Sequence, residues 1–376
     1  MKGNNRKCNE GKAGVQYDQV AAALREEIRD GVYDGMHPFP SLTKIMRRFG
    51  VSRPSAVRSV AALKQLGLVR TSQGQGTFLA RTSRTIGLAI PGTADSEFFS
   101  AVMDGLVAEC AQADMDLVAG DTFPKNHRRR AEQAERLARH FAELKVAGVL
   151  LQPVGFNPDA ERINRLIEGI LSEAGIPVVL IDYDIVVPPA RSGYDLVAID
   201  NFDAGRRVAA HLVAAGAKRV ACLRRALSAE SVWTRFAGVQ AFVRRNGTAA
   251  FGFIDAEPDD ACAVAEGLKT IRPDAIVCSN DQAAAILAKT LQKLRVRIPG
   301  DVLLAGFDDV RVAREMKPPL TTIHQPCADL AAVAFRTLME RIANPDLPPR
   351  EILLDAPLVV RESTKRPSVA VKGKHT

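Results

Sequence analysis

The sequence predicts an α/β protein: a small N-terminal winged helix-turn-helix followed by a two-lobed body built on parallel sheets. Three observations predict it. Between residues 86 and 363, short apolar runs alternate with amphipathic stretches, the pattern of buried strands covered by helices on both faces. Between residues 15 and 80, three short helical segments precede two short strands around a Gly-rich turn. Charge divides at the same place, with 15 Lys and Arg against 6 Asp and Glu in residues 1–84, and 36 against 37 in the remainder.

The composition is that of a globular protein of more than one domain: 376 residues, 47% hydrophobic, 25% charged, with a net charge of +8. A basic head on a neutral body points to nucleic acid binding at one end only. The sixty residues from Gly35 to Ala94 carry nine Lys or Arg and no Asp or Glu. A membrane surface would call for a basic helix with large apolar residues opposite, and none stands out. No apolar run reaches the ~18 residues of a membrane span. The polar start MKGNNRKCNEGKAG lacks a signal-peptide core, so a cytoplasmic location without a membrane partner is expected. The cysteines (Cys8, Cys110, Cys222, Cys262, Cys278 and Cys327) form no CxxC pair and read as reduced thiols.

Residues 1–14 read as a disordered basic arm. Within 15–80, the first helix is expected from about Tyr17 to Asp30, with Val20, Leu24 and Ile28 on one face and Gly31 as its stop. Ser41 caps a second helix, whose Leu42, Ile45, Met46 and Phe49 share a face, and Gly50 ends it. A third helix starts at Ser52 and tolerates Pro54 in its first turn. The tight Gly turn between these two makes a helix-turn-helix. Leu68–Val69 and Thr77–Leu79 flank the SQGQG turn as a wing. On the third helix Ala56, Val60 and Leu63 should face the core, and Arg58 lies about 200° round from Ala56. Arg58 is therefore expected to reach a groove, whereas Val57 is not. Residues 81–85 form a linker.

The apolar runs of the body are IGLAI (86–90), MDLVA (115–119), GVLLQ (148–152), PVVLID (177–182), LVAI (196–199), RVACL (219–223), AIVCS (275–279) and VLLAGF (302–307), with a further short strand in TTIHQ (321–325). Ligands of such folds sit beyond the carboxyl ends of the strands. Those positions hold Phe98 and Phe99, Asp182 and Tyr183, Asn280 and Asp281, Asp308 and Asp309, then His324 and Gln325. Carboxylates, amides and rings converging on one cleft suit a neutral, hydroxyl-rich ligand. The plainer role for Asp182 and Asp308 is capping a turn, and one of Phe98 and Phe99 should serve only the core. Arg128–Arg130 opens a stretch of alternating charge that reads as a solvated face. There is no phosphate-binding Gly-x4-Gly-Lys loop, no nucleophile elbow and no close His pair, so no catalytic residue, cofactor or metal is expected. Residues 364–376 read as a disordered tail.

Several of these residues carry a resemblance. Tyr17, FPS (39–41), FGVSRPS (49–55), LGLV (66–69) and GQGTF (74–78) resemble the winged helix-turn-helix of the GntR family of bacterial regulators. Leu42 departs from that pattern, where Glu is usual, and so does Val57, where Arg is common. The resemblance implies DNA contacts from Arg53, Ser55 and Arg58, with Lys44 from the second helix. It also implies a wing, Gln73, Gly74, Gln75 and Gly76, on or in the minor groove.

Residues 86–363 resemble the effector domain of the LacI family and the type I periplasmic sugar-binding proteins. VAIDNFDAGRRVAAHLVAAGAKRVACL, RFAGVQAF, CSNDQAAA, VLLAGFDD and PPLTTIHQP carry that likeness. It implies effector contacts from Phe98, Phe99, Asp182, Arg235, Asn280, Asp308 and Gln325. Tyr183 and Trp233 replace arginines common in relatives, and Trp233 is a candidate for stacking on a sugar. The combination resembles the AraR type of arabinose repressor. It implies a homodimeric transcription repressor on double-stranded operator DNA, shifted by a small sugar-like effector. Alternatives are a purine or nucleoside effector, since RFAG at 235–238 also resembles purine-responsive members, a transporter's solute-binding protein, or a cleft enzyme.

Overall fold

Ser41 and Gly50 bracket the helix that organises the head. A computed structural model describes residues 10–29, 32–33, 39–65, 68–72, 76–79, 83–90, 96–122, 130–247 and 249–366. Helix α1 (Glu10–Arg29) precedes α2 (Leu42–Phe49) and α3 (Arg53–Gln65). The Ser41 hydroxyl accepts from the Lys44 N–H at 3.4 Å, and Gly50 ends α2 at φ 62°, a left-handed geometry that suits glycine. Leu24, Ile45, Ala56 and Leu63 are wholly buried and join the three helices into one core with Val20, Ile28 and Phe39. Strands β1 (Val69–Ser72) and β2 (Gly76–Leu79) then pair antiparallel, pinned to that core by buried Val69.

Helix α1 is longer than its apolar stripe implied. The arm expected over residues 1–14 is helical from Glu10, and residues 1–9 lie outside the described set. Gly31, Gln73–Gln75 of the wing, residue 80, residues 81–82 of the linker and residues 367–376 of the tail also lie outside the described set.

The first lobe starts with β3 (Thr85–Ile90), α4 (Glu97–Gln112), β4 (Asp116–Asp121), α5 (Arg130–Glu143), β5 (Gly148–Leu151) and α6 (Ala160–Glu173). It continues with β6 (Val178–Ile181) and β7 (Asp195–Ile199). The second lobe comprises α7 (Asn201–Ala214), β8 (Arg219–Arg224), α8 (Glu230–Asn246), β9 (Ala250–Asp255), α9 (Ala261–Ile271) and β10 (Ala275–Val277), then α10 (Asp281–Lys293), β11 (Leu303–Asp308), α11 (Arg311–Glu315) and β12 (Thr321–His324). Helix α12 (Cys327–Ala343) and β13 (Glu351–Leu354) return to the first lobe, and β14 (Leu358–Val359) closes the second.

Each lobe holds a six-stranded sheet, in the order β13-β7-β6-β5-β3-β4 and β14-β12-β11-β10-β8-β9. All pairs are parallel except β12–β14. The chain thus passes between lobes after β7, β12 and β13. Strands β5 and β6 are buried at every position, so their sequences are unbroken apolar runs rather than alternating ones. Strands β9, β13 and β14 were not expected. They lie at sheet edges, and β13 alternates exposed and half-buried residues over only four positions. Among the described residues, no helix is long and apolar enough to cross a membrane.

Helices α7 and α8 cross closely because a glycine on each meets the other's backbone. A Cβ at Gly205 would collide with the Arg235 carbonyl oxygen, and one at Gly238 with the Phe202 carbonyl oxygen. Gly→Ala in a helix ordinarily stabilises by about 1 kcal/mol. Here the neighbour is backbone, which cannot swing aside, so overpacking of about 1–3 kcal/mol should outweigh that gain. Gly205→Ala and Gly238→Ala are each expected to lower the urea midpoint of the body; a midpoint at or above wild type would contradict the close crossing.

Candidate effector cleft and DNA-reading surface

Two strands end on strained aspartates. Asp182, just past β6, has φ 77°, and Asp308, closing β11, has φ 110°, both in the left-handed region that non-glycine residues rarely adopt. The Oδ2 atom of Asp182 accepts from Gln152 Nε2 at 3.1 Å and from the Ser231 hydroxyl at 3.2 Å. Gln152 follows β5 of the first lobe and Ser231 opens α8 of the second, so this carboxylate joins the lobes. Asp308 accepts from Gln325 Nε2 at 2.7 Å and lies 3.8 Å from Nη1 of Arg235.

Arg235 is 4% exposed. Its Nε donates to Asn201 Oδ1 and its Nη1 to the Ser279 carbonyl, each at 2.8 Å, while the guanidinium carbon sits 4.9 Å from the centre of the Phe307 ring. A third carboxylate, Asp281, is fully buried; it accepts from the Thr322 hydroxyl at 2.6 Å and the Val310 N–H at 3.1 Å.

Burial dominates the electrostatics. It pushes the Asp182 carboxyl above the usual range, against the pull of Arg235, Gln152 and Ser231. It raises Asp308 as well, with Arg235 and Gln325 opposing and the Asp182 charge adding to the rise. Asp281 is raised by burial and by the Asp308 charge. Asp182 and Asp308 thus share one buried guanidinium, while Asp281 relies on Thr322 and the Val310 N–H. Among the described residues, Thr122 Oγ1, Gln152 Oε1 and Ser228 Oγ are buried without a partner. They follow β4, β5 and β8, at the ends of strands where a ligand of this fold lies. No group of His, Cys, Asp or Glu among the described residues could hold a metal ion.

The other expected cleft residues divide. Phe99 is half-buried, while Phe98 belongs to the core and meets it edge-on with ring centres 4.8 Å apart. Tyr183 is also a core residue, its hydroxyl donating to the Pro153 carbonyl at 2.6 Å. Packing holds the Phe98 and Tyr183 rings in place, and Tyr183 also borders a depression beside Asp182, Asn201 and Ser231. Asn280 caps α10, accepting from the Ala283 N–H at 2.9 Å, which occupies its oxygen but not its amide nitrogen. Trp233 lines a separate depression with Arg224, Arg225 and Glu257. His324 pairs with Asp309 at 3.1 Å. Gln152 had a readable signal, since it ends the GVLLQ run; Asn201 and Ser231 sit in first turns of helices and had none.

On the head, Arg53, Arg58 and Lys44 are exposed. Ser55 is 6% exposed, and its hydroxyl lies 3.0 Å from that of Ser52, which holds it at the start of α3. Arg48 is occupied by Glu27 and Tyr33, with its Nη1 3.0 Å and 3.3 Å from them. Gly76 starts β2 at φ 113°; Gln73, Gly74 and Gln75 lie outside the described residues.

A carboxyl with a raised pKa makes the native state hold more protons than the unfolded chain. Stability then falls as pH rises from about 4 through the raised value. Asp308→Asn removes that liability while keeping an acceptor for Gln325. The ligand-free variant should melt about 1–3 °C above wild type at pH 8, with the difference fading towards pH 4. A lower melting temperature at pH 8 would mean that pairing with Arg235 outweighs burial.

Residues 16–79 match the family described as bacterial regulatory proteins, gntR family, and residues 209–364 match the periplasmic binding protein-like domain. The chain is 31% identical over 292 residues to the HTH-type transcriptional repressor PurR of Vibrio vulnificus (strain CMCP6), a match covering 76% of this chain and 82% of that protein. A putative transcriptional regulator of the LacI family from Sanguibacter keddieii is similar in structure, at 29% identity and a TM-score of 0.59, over 75% of this chain and 98% of that one. The transcriptional regulator CelR, solved as its cellobiose complex, shares the fold at 21% identity and a TM-score of 0.63, over 86% of this chain and all of that one. The chain belongs to the PurR and LacI family of transcriptional repressors, and the DNA-binding head joined to its effector domain is of the GntR type.

Proposed function

We propose that this repressor binds its operator as a homodimer and responds to an uncharged monosaccharide or close derivative held between the lobes. The observation that carries this reading is the pair of buried carboxylates, Asp182 and Asp308, which approach from different lobes around buried Arg235. Hydroxyl groups donate to such carboxylates and accept from the guanidinium, whereas a phosphate would add charge beside acids already raised by burial. Phe99 is the ring available to cover an apolar sugar face, since Trp233 lines a separate depression. Asn280 contributes through its amide nitrogen.

An effector bridging Asp182 and Asp308 acts on the relation between lobes. The lobes touch through Asp182 and Ser231, and through the Arg311 N–H donating to Glu97 at 2.8 Å. A ligand binding one lobe arrangement better shifts the population towards it, and paired heads then lose or gain register with their half-sites. The homodimer reading is supported by α4, whose exposed Ala101, Val107, Ala108 and Ala111 surround exposed Asp104 on one face, a mixed apolar and acidic surface of the kind a second copy can cover.

A thermal-shift screen of the full-length protein against neutral sugars, polyols, sugar phosphates, purines and nucleosides tests the effector class. A neutral sugar at about one hundred times its Kd should stabilise by about 2.7 kcal/mol, a shift of several degrees. Stabilisation by purines alone, or by sugar phosphates alone, would overturn the assignment. Arg58→Ala should weaken operator binding and leave effector binding intact, and Asp308→Ala should do the reverse. Equal loss of both functions in either variant contradicts this division of labour.

A further inference from the structure

We infer that Val57 is a sequence-specificity residue of the DNA-reading head, packing its side chain against the C5-methyl group of a thymine in the major groove. Helix α3 is buried along one side. Its inward residues are Ser55, Ala56, Ser59, Val60 and Leu63. At about 100° per residue, the arc opposite them is centred on Pro54 and Ala61, with Val57 and Arg58 about 50° to either side. Val57 thus faces outward as fully as Arg58, contrary to the expectation from sequence that only Arg58 could reach a groove. It is 45% exposed, and Arg53 and Ala61, one turn before and after it, are exposed as well.

Single exposed apolar residues are common on protein surfaces. What marks Val57 is its address. Among the described residues, the exposed large hydrophobics of the head are Val32 and Val57, and only Val57 lies in the helix-turn-helix. A β-branched residue is also a modest helix former, and here it has no core contact to compensate. The surface around it fixes the occupant: nine basic and no acidic residues between Gly35 and Ala94 fit a polyanionic duplex.

Valine can neither donate nor accept a hydrogen bond, so it cannot read guanine, adenine or cytosine edges. The apolar feature that base edges present in the major groove is the thymine methyl. Arg53 and Arg58 flank Val57 and supply the charged contacts that hold the helix in place, leaving Val57 to discriminate A·T from G·C at one position.

The test uses full-length protein without effector. A site is first selected from a randomised duplex library, and each thymine of it is then replaced in turn by uracil, which removes only the methyl group. Wild type should lose about fourfold in affinity at one thymine position, the equivalent of one buried methyl. Val57→Ala should bind the thymine and uracil duplexes equally, while Arg58→Ala weakens both without changing their ratio. Val57→Arg should no longer favour thymine there. Uracil scanning of wild type alone decides the matter even if a variant misfolds. A selected site without thymine, indifference of wild type to uracil at every position, or a thymine preference retained by Val57→Ala would each overturn the inference.

Discussion

The buried guanidinium of Arg235 is the contact on which the body depends. A charge at 4% exposure is costly unless its donors are met, and here they reach Asn201, the Ser279 carbonyl and, at 3.8 Å, Asp308. Those partners come from the start of α7, the end of β10 and the end of β11. Fixing one side chain therefore fixes three loops at the mouth of the second lobe. The close crossing of α7 and α8 at Gly205 and Gly238 is what lets the backbone of Arg235 sit against α7. Packing and charge are satisfied by the same pair of helices.

The two ends of the molecule solve opposite electrostatic problems. The head excludes acids over sixty residues, and it commits Arg48 to Glu27 and Tyr33 while leaving Arg53 and Arg58 exposed. The cleft gathers Asp182 and Asp308 around one cation and holds their carboxyls, and that of nearby Asp281, high by burial. A polyanion fits the first surface, and a donor of neutral hydrogen bonds fits the second. The lobes that carry the cleft are linked by three chain passages and by the side chains of Asp182 and Glu97, which makes their relative arrangement the natural variable for a ligand to bias.

Much was legible in the amino-acid sequence. The Ser41 cap, the Gly50 stop and the stripe of Leu42, Ile45 and Phe49 each rest on rules local to one turn of helix. Apolar runs such as GVLL and VVLI announced fully buried strands. The edge strands β9, β13 and β14 did not announce themselves, because half-exposed residues at a sheet margin resemble ordinary loop sequence. Asp182, Arg235, Asp308 and Gln325 come together as a set, and the positive φ of the two aspartates marks the spot more sharply than composition could.

The sequence by itself determined the element types, the basic head and the pairing of a DNA-reading module with a two-lobed binding domain. Those depend on short-range pattern and on charge counted along the chain. Tertiary structure alone decided which named residues are free to act. It turned Ser55, Phe98 and Tyr183 inward, put Val57 on the outward arc, and recruited Gln152, Asn201 and Ser231 from distant segments. Whether a side chain faces a ligand or a core depends on what other elements cover it, and that is settled only when helices and sheets from remote parts of the chain pack together.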